Sequence, residues 1–106
     1  MSRKLAALIV GMVLLGVNAV WAQDPAQVAK GRQVYADRQC NKCHAIGDEG
    51  GRVGPDLTRV GLKREADWLR QFLKNPKAVN LRAKMLAFEG TDQELEAVVA
   101  YLASLY

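Results

Sequence analysis

The sequence predicts an all-α fold, and three observations support this prediction. Apolar residues recur at spacings of three and four in three segments of the chain, which is the period of a helix. These segments are bounded by residues that start or stop helices, such as Asp24-Pro25, Asn75-Pro76 and Thr91. No stretch alternates between polar and apolar residues for long enough to predict a sheet. We therefore expect three main helices joined by loops.

The first predicted helix begins with Asp24 as its N-cap and Pro25 in its first turn, and it extends to about Arg38. Residues 46–61 follow the cysteine-containing segment and hold five glycines and one proline without a lasting period. We predict that these residues form a loop. The residues that repeat along the first helix are Val28, Gly31, Val34 and Tyr35.

The second predicted helix spans about Arg64 to Lys74, and Asn75-Pro76 ends it because proline disfavours a helical residue before it. Residues 77–90 are predicted to be irregular, with room for one short helical turn. The third helix begins at Thr91, and the sequence TDQE predicts a capping box with Glu94. The apolar residues of these two helices are Trp68, Leu69, Phe72 and Leu73, then Leu95, Val98, Val99, Leu102 and Leu105.

The N-terminal residues have the pattern of a secretory signal peptide. Arg3 and Lys4 precede an uninterrupted run of 13 apolar residues and glycines, residues 5–17. The residues before Gln23 suit cleavage after Ala22, so we predict a signal peptide over 1–22, one domain over 23–106 and export to a bacterial periplasm. The alternative is an uncleaved anchor, which would have to extend to Ala22 to reach the roughly 20 residues that span a bilayer.

The charge of the chain argues against a nucleic-acid-binding protein. Without residues 1–22 the chain has 13 basic and 11 acidic residues, a formal charge of +2, whereas nucleic-acid binders usually carry a clear basic stripe. The charge is unevenly distributed instead, with a net +5 over residues 63–84 and a net −4 over residues 85–106. This asymmetry favours electrostatic orientation against a charged partner.

Residues 40–44 read CNKCH and contain the only two cysteines and the only histidine of the chain. A structural zinc site needs four ligands, and this cluster offers three. A thioredoxin-like redox pair is expected among alternating strands and helices, which this sequence does not predict. A disulfide between two cysteines this close would close a very small loop and would restrict the unfolded chain little.

The fourth alternative is covalent haem attachment, the specific meaning of Cys-x-x-Cys-His. Two intervening residues let the chain turn tightly, so that Cys40 and Cys43 reach the two vinyl groups on one edge of a porphyrin. His44 then lies over the iron, where its imidazole serves as the proximal ligand. In an exported helical domain this alternative is favoured, and it predicts one haem c bound through Cys40 and Cys43. The haem would also enlarge the small core that 84 residues can build.

One axial position of the iron is then left, and the sequence offers Met85 for it. Met1 and Met12 lie in the predicted signal peptide, so Met85 is the only methionine of the predicted mature chain. Ligation by His44 and Met85 would raise the reduction potential and would leave the iron to exchange electrons. The alternative is that Met85 fills the core and that a five-coordinate iron is open to a small ligand.

The order of these segments resembles the small class I c-type cytochromes over about residues 29–102. The matching stretches are KGRQVYADRQCNKCH, GPDL, FLKNPK and AKMLAF. The resemblance implies a compact cytochrome c fold, in which three main helices and loops surround one covalently bound haem. It also implies that the first and last helices cross, with Gly31 and Tyr35 against the face that bears Val98, Tyr101 and Leu102.

The resemblance assigns a role to Pro55 in GPDL, because the matching proline of the family accepts a hydrogen bond from the second imidazole nitrogen of the histidine ligand. Such a bond orients the ring and tunes its basicity. Two positions depart from the family. Leu86 stands where many relatives have proline after the methionine, and Phe72 stands where relatives often have a tyrosine near the methionine sulfur.

These observations predict an electron carrier that passes single electrons between periplasmic redox proteins and is not an enzyme. We expect a donor and an acceptor with an acidic docking surface, no nucleic acid, and a membrane only if the leader is retained. The alternatives are a haem c subunit of a larger dehydrogenase or oxidase, and a ligand-binding or peroxidatic protein with an open sixth position. The lysines expected around the exposed haem edge are Lys42, Lys63, Lys74, Lys77 and Lys84.

Overall fold

The structure, a computed structural model, describes residues 24–106. Helices make up most of the secondary structure in this part of the chain. The predicted signal peptide lies outside the described residues. The helices are α1 (Pro25–Asp37), α2 (Val60–Lys63), α3 (Ala66–Lys74), α4 (Pro76–Val79) and α5 (Asp92–Ala103), with a 3₁₀ helix at Cys40–Lys42 and the strands β1 (Ala45–Ile46) and β2 (Glu49–Gly50). None of the helices in residues 24–106 combines the length and the hydrophobicity that spanning a bilayer requires.

The caps of α1 and α5 explain why these two helices begin where the sequence predicts. The Asp24 carboxylate accepts a hydrogen bond from the backbone N–H of Ala26 at 2.9 Å, and Pro25 opens the helix. At α5 the Thr91 hydroxyl accepts from the N–H of Glu94 at 3.0 Å, while the Glu94 carboxylate accepts from the N–H of Thr91 at 2.9 Å. Each bond satisfies a backbone donor that the helix itself leaves unpaired, so the predicted capping box is confirmed.

The two terminal helices cross at Gly31. A Cβ added at Gly31 would overlap the backbone carbonyl of Ala97 and would lie 2.8 Å from the Cβ of Tyr101. The absence of a side chain therefore sets how closely α1 and α5 approach. Tyr35 and Tyr101 pack edge to face beside this contact, with ring centroids 5.6 Å apart. The crossing implied by the resemblance is confirmed.

The core lies between α1, α3 and α5, and it is small. Val34 of α1 and Val98 of α5 are fully buried, and α3 contributes Leu69 and Leu73 from its apolar face. The helices form one wall of a cavity that extends toward the loops, so side chains alone do not fill the interior. The fold class predicted from the sequence is confirmed.

The predicted loop over residues 46–61 is wrong at both ends. A short antiparallel hairpin pairs Ala45 with Gly50 and Ile46 with Glu49, and the single turn α2 begins at Val60. Two-residue strands are too short to show an alternating pattern, which explains why the sequence did not predict them. The second main helix begins at Ala66, two residues later than predicted. Asn75 separates it from the short turn α4, which Pro76 begins.

An ion pair joins α3 to α5 on the surface. Arg70 donates to both carboxylate oxygens of Glu96 at 2.6 and 2.8 Å, a bidentate arrangement. These bonds hold the pKa of the Glu96 carboxyl below its usual value. The pair is partly exposed, so its contribution to stability is expected to be up to about 1 kcal/mol.

Replacement of Glu96 by glutamine should show this contribution and its pH dependence. A lowered carboxyl pKa in the folded state stabilises the fold at neutral pH, and that stability is lost as the pH falls through the folded-state pKa. We expect E96Q to unfold at a lower denaturant concentration than the parent protein at pH 7 and at the same concentration at about pH 2. A difference that is equally large at both pH values would contradict this role.

Candidate functional site

A cavity of about 950 Å³ lies between the helices and the loops. This volume is at the upper end of the range for sites that hold small molecules and cofactors, about 300–1,000 Å³. The five residues that the sequence singles out, Cys40, Cys43, His44, Pro55 and Met85, all line it. They come from positions up to 45 residues apart, so the fold brings together what the sequence lists separately.

The local backbone explains how the CNKCH motif reaches the cavity. Gln39 follows α1 in a left-handed conformation with φ of 59°, which turns the chain out of the helix. The 3₁₀ helix Cys40–Lys42 then closes with hydrogen bonds from the N–H groups of Cys43 and His44 to the carbonyl oxygen of Cys40, at 3.2 and 3.1 Å. This one turn places Cys40, Cys43 and His44 in the wall of the same cavity.

The two cysteines have different environments. Cys40 is partly buried beside the helix pair, and burial raises the pKa of its thiol. Cys43 is exposed at the mouth of the cavity. A group attached to both would thus have one edge at the surface and would extend inward from it.

The imidazole of His44 is fixed from two sides. Its Nδ1 lies 2.7 Å from the carbonyl oxygen of Pro55, so Nδ1 carries the proton and donates to that oxygen. A Cβ added at Gly54 would lie 2.7 Å from Cε1 and 3.0 Å from Nδ1 of the ring, so only glycine fits there. The remaining nitrogen, Nε2, then has a lone pair for a metal. The bond to Pro55 is the one that the resemblance implies.

Met85 lies in the segment between α4 and α5, and it is partly buried against the core. The residue after it, Leu86, is 86% exposed. The segment is joined to α3 by a hydrogen bond of 2.7 Å from the N–H of Phe88 to the carbonyl oxygen of Leu73. Met85 therefore forms part of the cavity wall from an irregular segment, as expected from the sequence.

The inner wall of the cavity fits a large, flat and mostly apolar group. Trp68 and Phe72 stack with centroids 5.0 Å apart and an angle of 14° between their planes, and both line the cavity. The Tyr35 hydroxyl is buried and has no hydrogen-bond partner among the described residues. Burial, with the nearby Cys40 and Tyr101, raises the pKa of Tyr35 to about 12. The hydroxyl is therefore a neutral donor, and a bound group is able to use it.

Three residues of this wall, Tyr35, Gly54 and Trp68, were not predicted from the sequence as site residues. Tyr35 and Trp68 were assigned to helix faces from their spacing, which does not show that the same side chains border a cavity. Gly54 belongs to the GPDL stretch, but only the fold shows that it lies against the ring of His44. A glycine beside a proline that follows the motif by eleven residues was the available signal.

Basic side chains lie around part of the cavity. Of the five lysines predicted around its edge, Lys63 and Lys84 line it, together with Arg38 and Arg64. The other three, Lys42, Lys74 and Lys77, are exposed but do not line the cavity.

Known proteins similar to this chain include cytochromes and subunits of cytochrome oxidases. The chain matches the family described as "Cytochrome C oxidase, cbb3-type, subunit III" over residues 26–102. It is 33% identical over 101 residues to cytochrome c2 of Afifella marina, which covers 71% of this chain and 79% of that protein. It is 31% identical over 85 residues to cytochrome c oxidase subunit 2 of Alkalihalophilus pseudofirmus, covering 72% of this chain and 25% of that protein.

A solved structure has the same fold. The c-type cytochrome SorU from Sinorhizobium meliloti superposes with a TM-score of 0.63 at 32% sequence identity, covering 77% of this chain and 93% of that one. The fold and the lining of the cavity agree with this likeness to c-type cytochromes. The family match spans most of the chain, so the chain belongs to this family and is a small monohaem class I c-type cytochrome. Its cofactor is covalently bound haem c.

Proposed function

We propose that this protein is an exported electron carrier that accepts single electrons from one redox protein and passes them to another, and that it is not an enzyme. The observation that supports this most directly is that the cysteines and the histidine of the CNKCH motif line the same cavity as Met85. Met85 is the only methionine after residue 12. When bound, the haem supplies an iron that is oxidised and reduced by one electron. We further propose that residues 1–22 are a signal peptide cleaved after Ala22, which would place the carrier in the periplasm.

The four residues that would hold the haem, Cys40, Cys43, His44 and Met85, have distinct proposed roles. Cys40 and Cys43 hold the haem through thioether bonds, and the 3₁₀ helix sets their spacing. His44 would bind the iron through Nε2, because Nδ1 donates to the carbonyl oxygen of Pro55. Met85 would supply the second protein ligand of the iron. Ligation by His and Met raises the reduction potential and leaves no position for a substrate, which favours electron transfer over catalysis.

The route of the electron follows from the exposure of the motif. Cys43 lies at the mouth of the cavity, and Lys63 and Lys84 lie beside the same cavity. A redox partner with an acidic docking surface would meet these lysines at the edge where the haem is nearest to solvent. Electrostatic attraction of this kind raises the rate of encounter more than the affinity, which suits small and short-lived redox complexes.

Charge reversal at the cavity edge tests this docking surface. We expect Lys84→Glu to slow electron transfer to a small acidic redox protein by about tenfold at 10 mM salt, and the effect should disappear at about 1 M salt. Lys30→Glu makes the same charge change at an exposed lysine of α1 that does not line the cavity, and its rate should stay within about twofold of the parent rate. Stopped-flow absorbance of the haem measures both rates.

A neutral small-molecule oxidant provides the second control, because its reaction should be independent of salt for all three proteins. Equal slowing by the two lysine variants would remove the docking surface from the proposal. A rate of electron transfer to the acidic partner that does not change with salt concentration would also contradict the docking surface.

The second candidate function is a haem c subunit of a larger complex. The chain spans 25% of the length of the Alkalihalophilus pseudofirmus oxidase subunit. The description of the matched family also names a subunit of an oxidase. Two cavity-lining residues, Val53 and Leu86, are each 86% exposed, which suits a permanent apolar contact. Size-exclusion chromatography of the protein at its natural abundance distinguishes a free carrier from a subunit that elutes with a larger complex.

A further inference from the structure

We infer that Arg38 is a positioning residue for Met85, and that it controls how readily the sixth position of the iron opens. Arg38 is the residue directly after α1, two positions before Cys40. It does not carry electrons and does not bind the iron. This inference rests on the proposed function, because it requires Met85 to be an iron ligand.

Three contacts connect Arg38 to the segment that follows Met85 and to α5. Its Nε donates to the carbonyl oxygen of Glu89 at 2.9 Å, and its guanidinium carbon lies 5.8 Å from the centroid of the Phe88 ring. Its Nη2 donates to the Glu94 carboxylate, also at 2.9 Å. One side chain thus joins the end of α1, the start of α5 and the Met85 segment.

The partner of Arg38 on α5 is itself fixed. The Glu94 carboxylate accepts from the backbone of Thr91 in the capping box. The Thr91 backbone bond and the bond from Arg38 hold the pKa of Glu94 below its usual value, so this side chain is an anion at neutral pH. The guanidinium is therefore held at the helix start, and the bond to Glu89 ties the loop to that fixed point.

Few other bonds hold the Met85 segment. Among the described residues, two hydrogen bonds join residues 84–90 to other parts of the fold. One is the bond from the N–H of Phe88 to the carbonyl oxygen of Leu73, and the other is the bond from Arg38 to Glu89. Both lie after Met85, and Leu86 beside it is exposed. Loss of Arg38 would remove one of the two bonds and the cation over Phe88.

Arg70 provides a matched control. It also forms an ion pair with a glutamate of α5, and its side chain is 31% exposed, against 35% for Arg38. It bonds to Glu96 and Asp67, and in the part of the chain that the structure describes it forms no hydrogen bond with residues 84–90. Arg38→Gln and Arg70→Gln therefore each remove one ion pair to α5, but only the first should loosen Met85.

The test compares four haem-loaded proteins, namely the parent, R38Q, R70Q and Met85→Ala. The measurements are the ferric iron–sulfur charge-transfer band and the rate at which the reduced protein binds carbon monoxide. We expect R38Q to bind carbon monoxide about tenfold faster than the parent, the size of effect that one charged hydrogen bond allows. R70Q should bind carbon monoxide within about twofold of the parent rate. Its thermal stability should nevertheless fall by about as much as that of R38Q, because each variant loses one ion pair to α5.

The outcomes separate this inference from the proposed function. Equal carbon monoxide rates for R38Q and R70Q, with an altered Met85→Ala protein, would overturn the role of Arg38 and leave the carrier function in place. An unchanged Met85→Ala protein would overturn the ligand assignment and this inference with it. If R38Q does not retain its haem, Arg38→Lys keeps the charge but replaces the guanidinium fork by one ammonium. Parent-like carbon monoxide binding by R38K would then overturn a role for the fork.

Discussion

Replacement of Met85 by alanine is expected to lower the midpoint potential of the haem by on the order of 0.1 V or more, a part of the roughly 0.8 V range that axial ligands span. The physical reason is that a thioether ligand raises the potential, and its loss leaves water or no ligand in its place. The ferric iron–sulfur charge-transfer band should disappear, and the reduced protein should bind carbon monoxide at once. Spectroelectrochemical titration and a carbon monoxide difference spectrum measure these changes.

Leu86→Ala is the matched control for this substitution. Leu86 is the next residue, borders the same cavity and is largely exposed, so its replacement changes the same segment without removing a ligand. Its potential and its charge-transfer band should match those of the parent protein. An unchanged spectrum and potential in Met85→Ala would exclude Met85 as the ligand and would favour a five-coordinate iron.

Replacement of Gly31 by alanine should have the largest effect on stability. The added Cβ would overlap the backbone carbonyl of Ala97, and a backbone atom cannot move aside as a flexible side chain can. Alanine favours the helix by about 1 kcal/mol over glycine, so any loss comes from the clash. We expect a net destabilisation of about 3 kcal/mol, which corresponds to a fall in Tm of roughly 12–24 °C for a domain of this size.

Gln33→Ala shows whether that loss belongs to the crossing of the helices. Gln33 is an exposed residue of the same helix, so its replacement should change the free energy of unfolding by no more than about 0.5 kcal/mol. Denaturant unfolding of the haem-loaded proteins, followed by circular dichroism, gives both values. A Gly31→Ala protein as stable as the parent would mean that α1 and α5 separate at little cost.

Local signals in the sequence predicted the starts of α1 and α5 well. Asp24, Thr91 and Glu94 satisfy backbone donors within three residues of themselves, so their roles depend on nearby sequence alone. The CNKCH motif is equally local, because one turn of 3₁₀ helix sets its geometry. These features required no knowledge of the rest of the fold.

Long-range contacts were not predictable in the same way. The contact of Gly54 with the His44 ring requires the path of the intervening hairpin, and the bond from Arg38 to Glu89 joins residues 51 positions apart. The crossing at Gly31 was anticipated through the resemblance to a family. Three of the five lysines expected around the cavity edge do not line the cavity. All three lie in helices, and sequence position alone does not show which side of such a short helix faces the cavity.

The pairing of α1 with α5 is coupled to the binding of the haem in the cavity. These helices are separated by residues 38–91, so their pairing must close a segment of 54 residues, at a chain-entropy cost of about 3.5 kcal/mol. The four residues proposed to hold the haem, Cys40, Cys43, His44 and Met85, all lie within that segment. A group anchored at Cys40 and held again at Met85 would shorten the free length of chain that remains to be ordered. The haem would therefore act as an internal cross-link, and the thermal stability of the helix pair would report on whether the cofactor is in place.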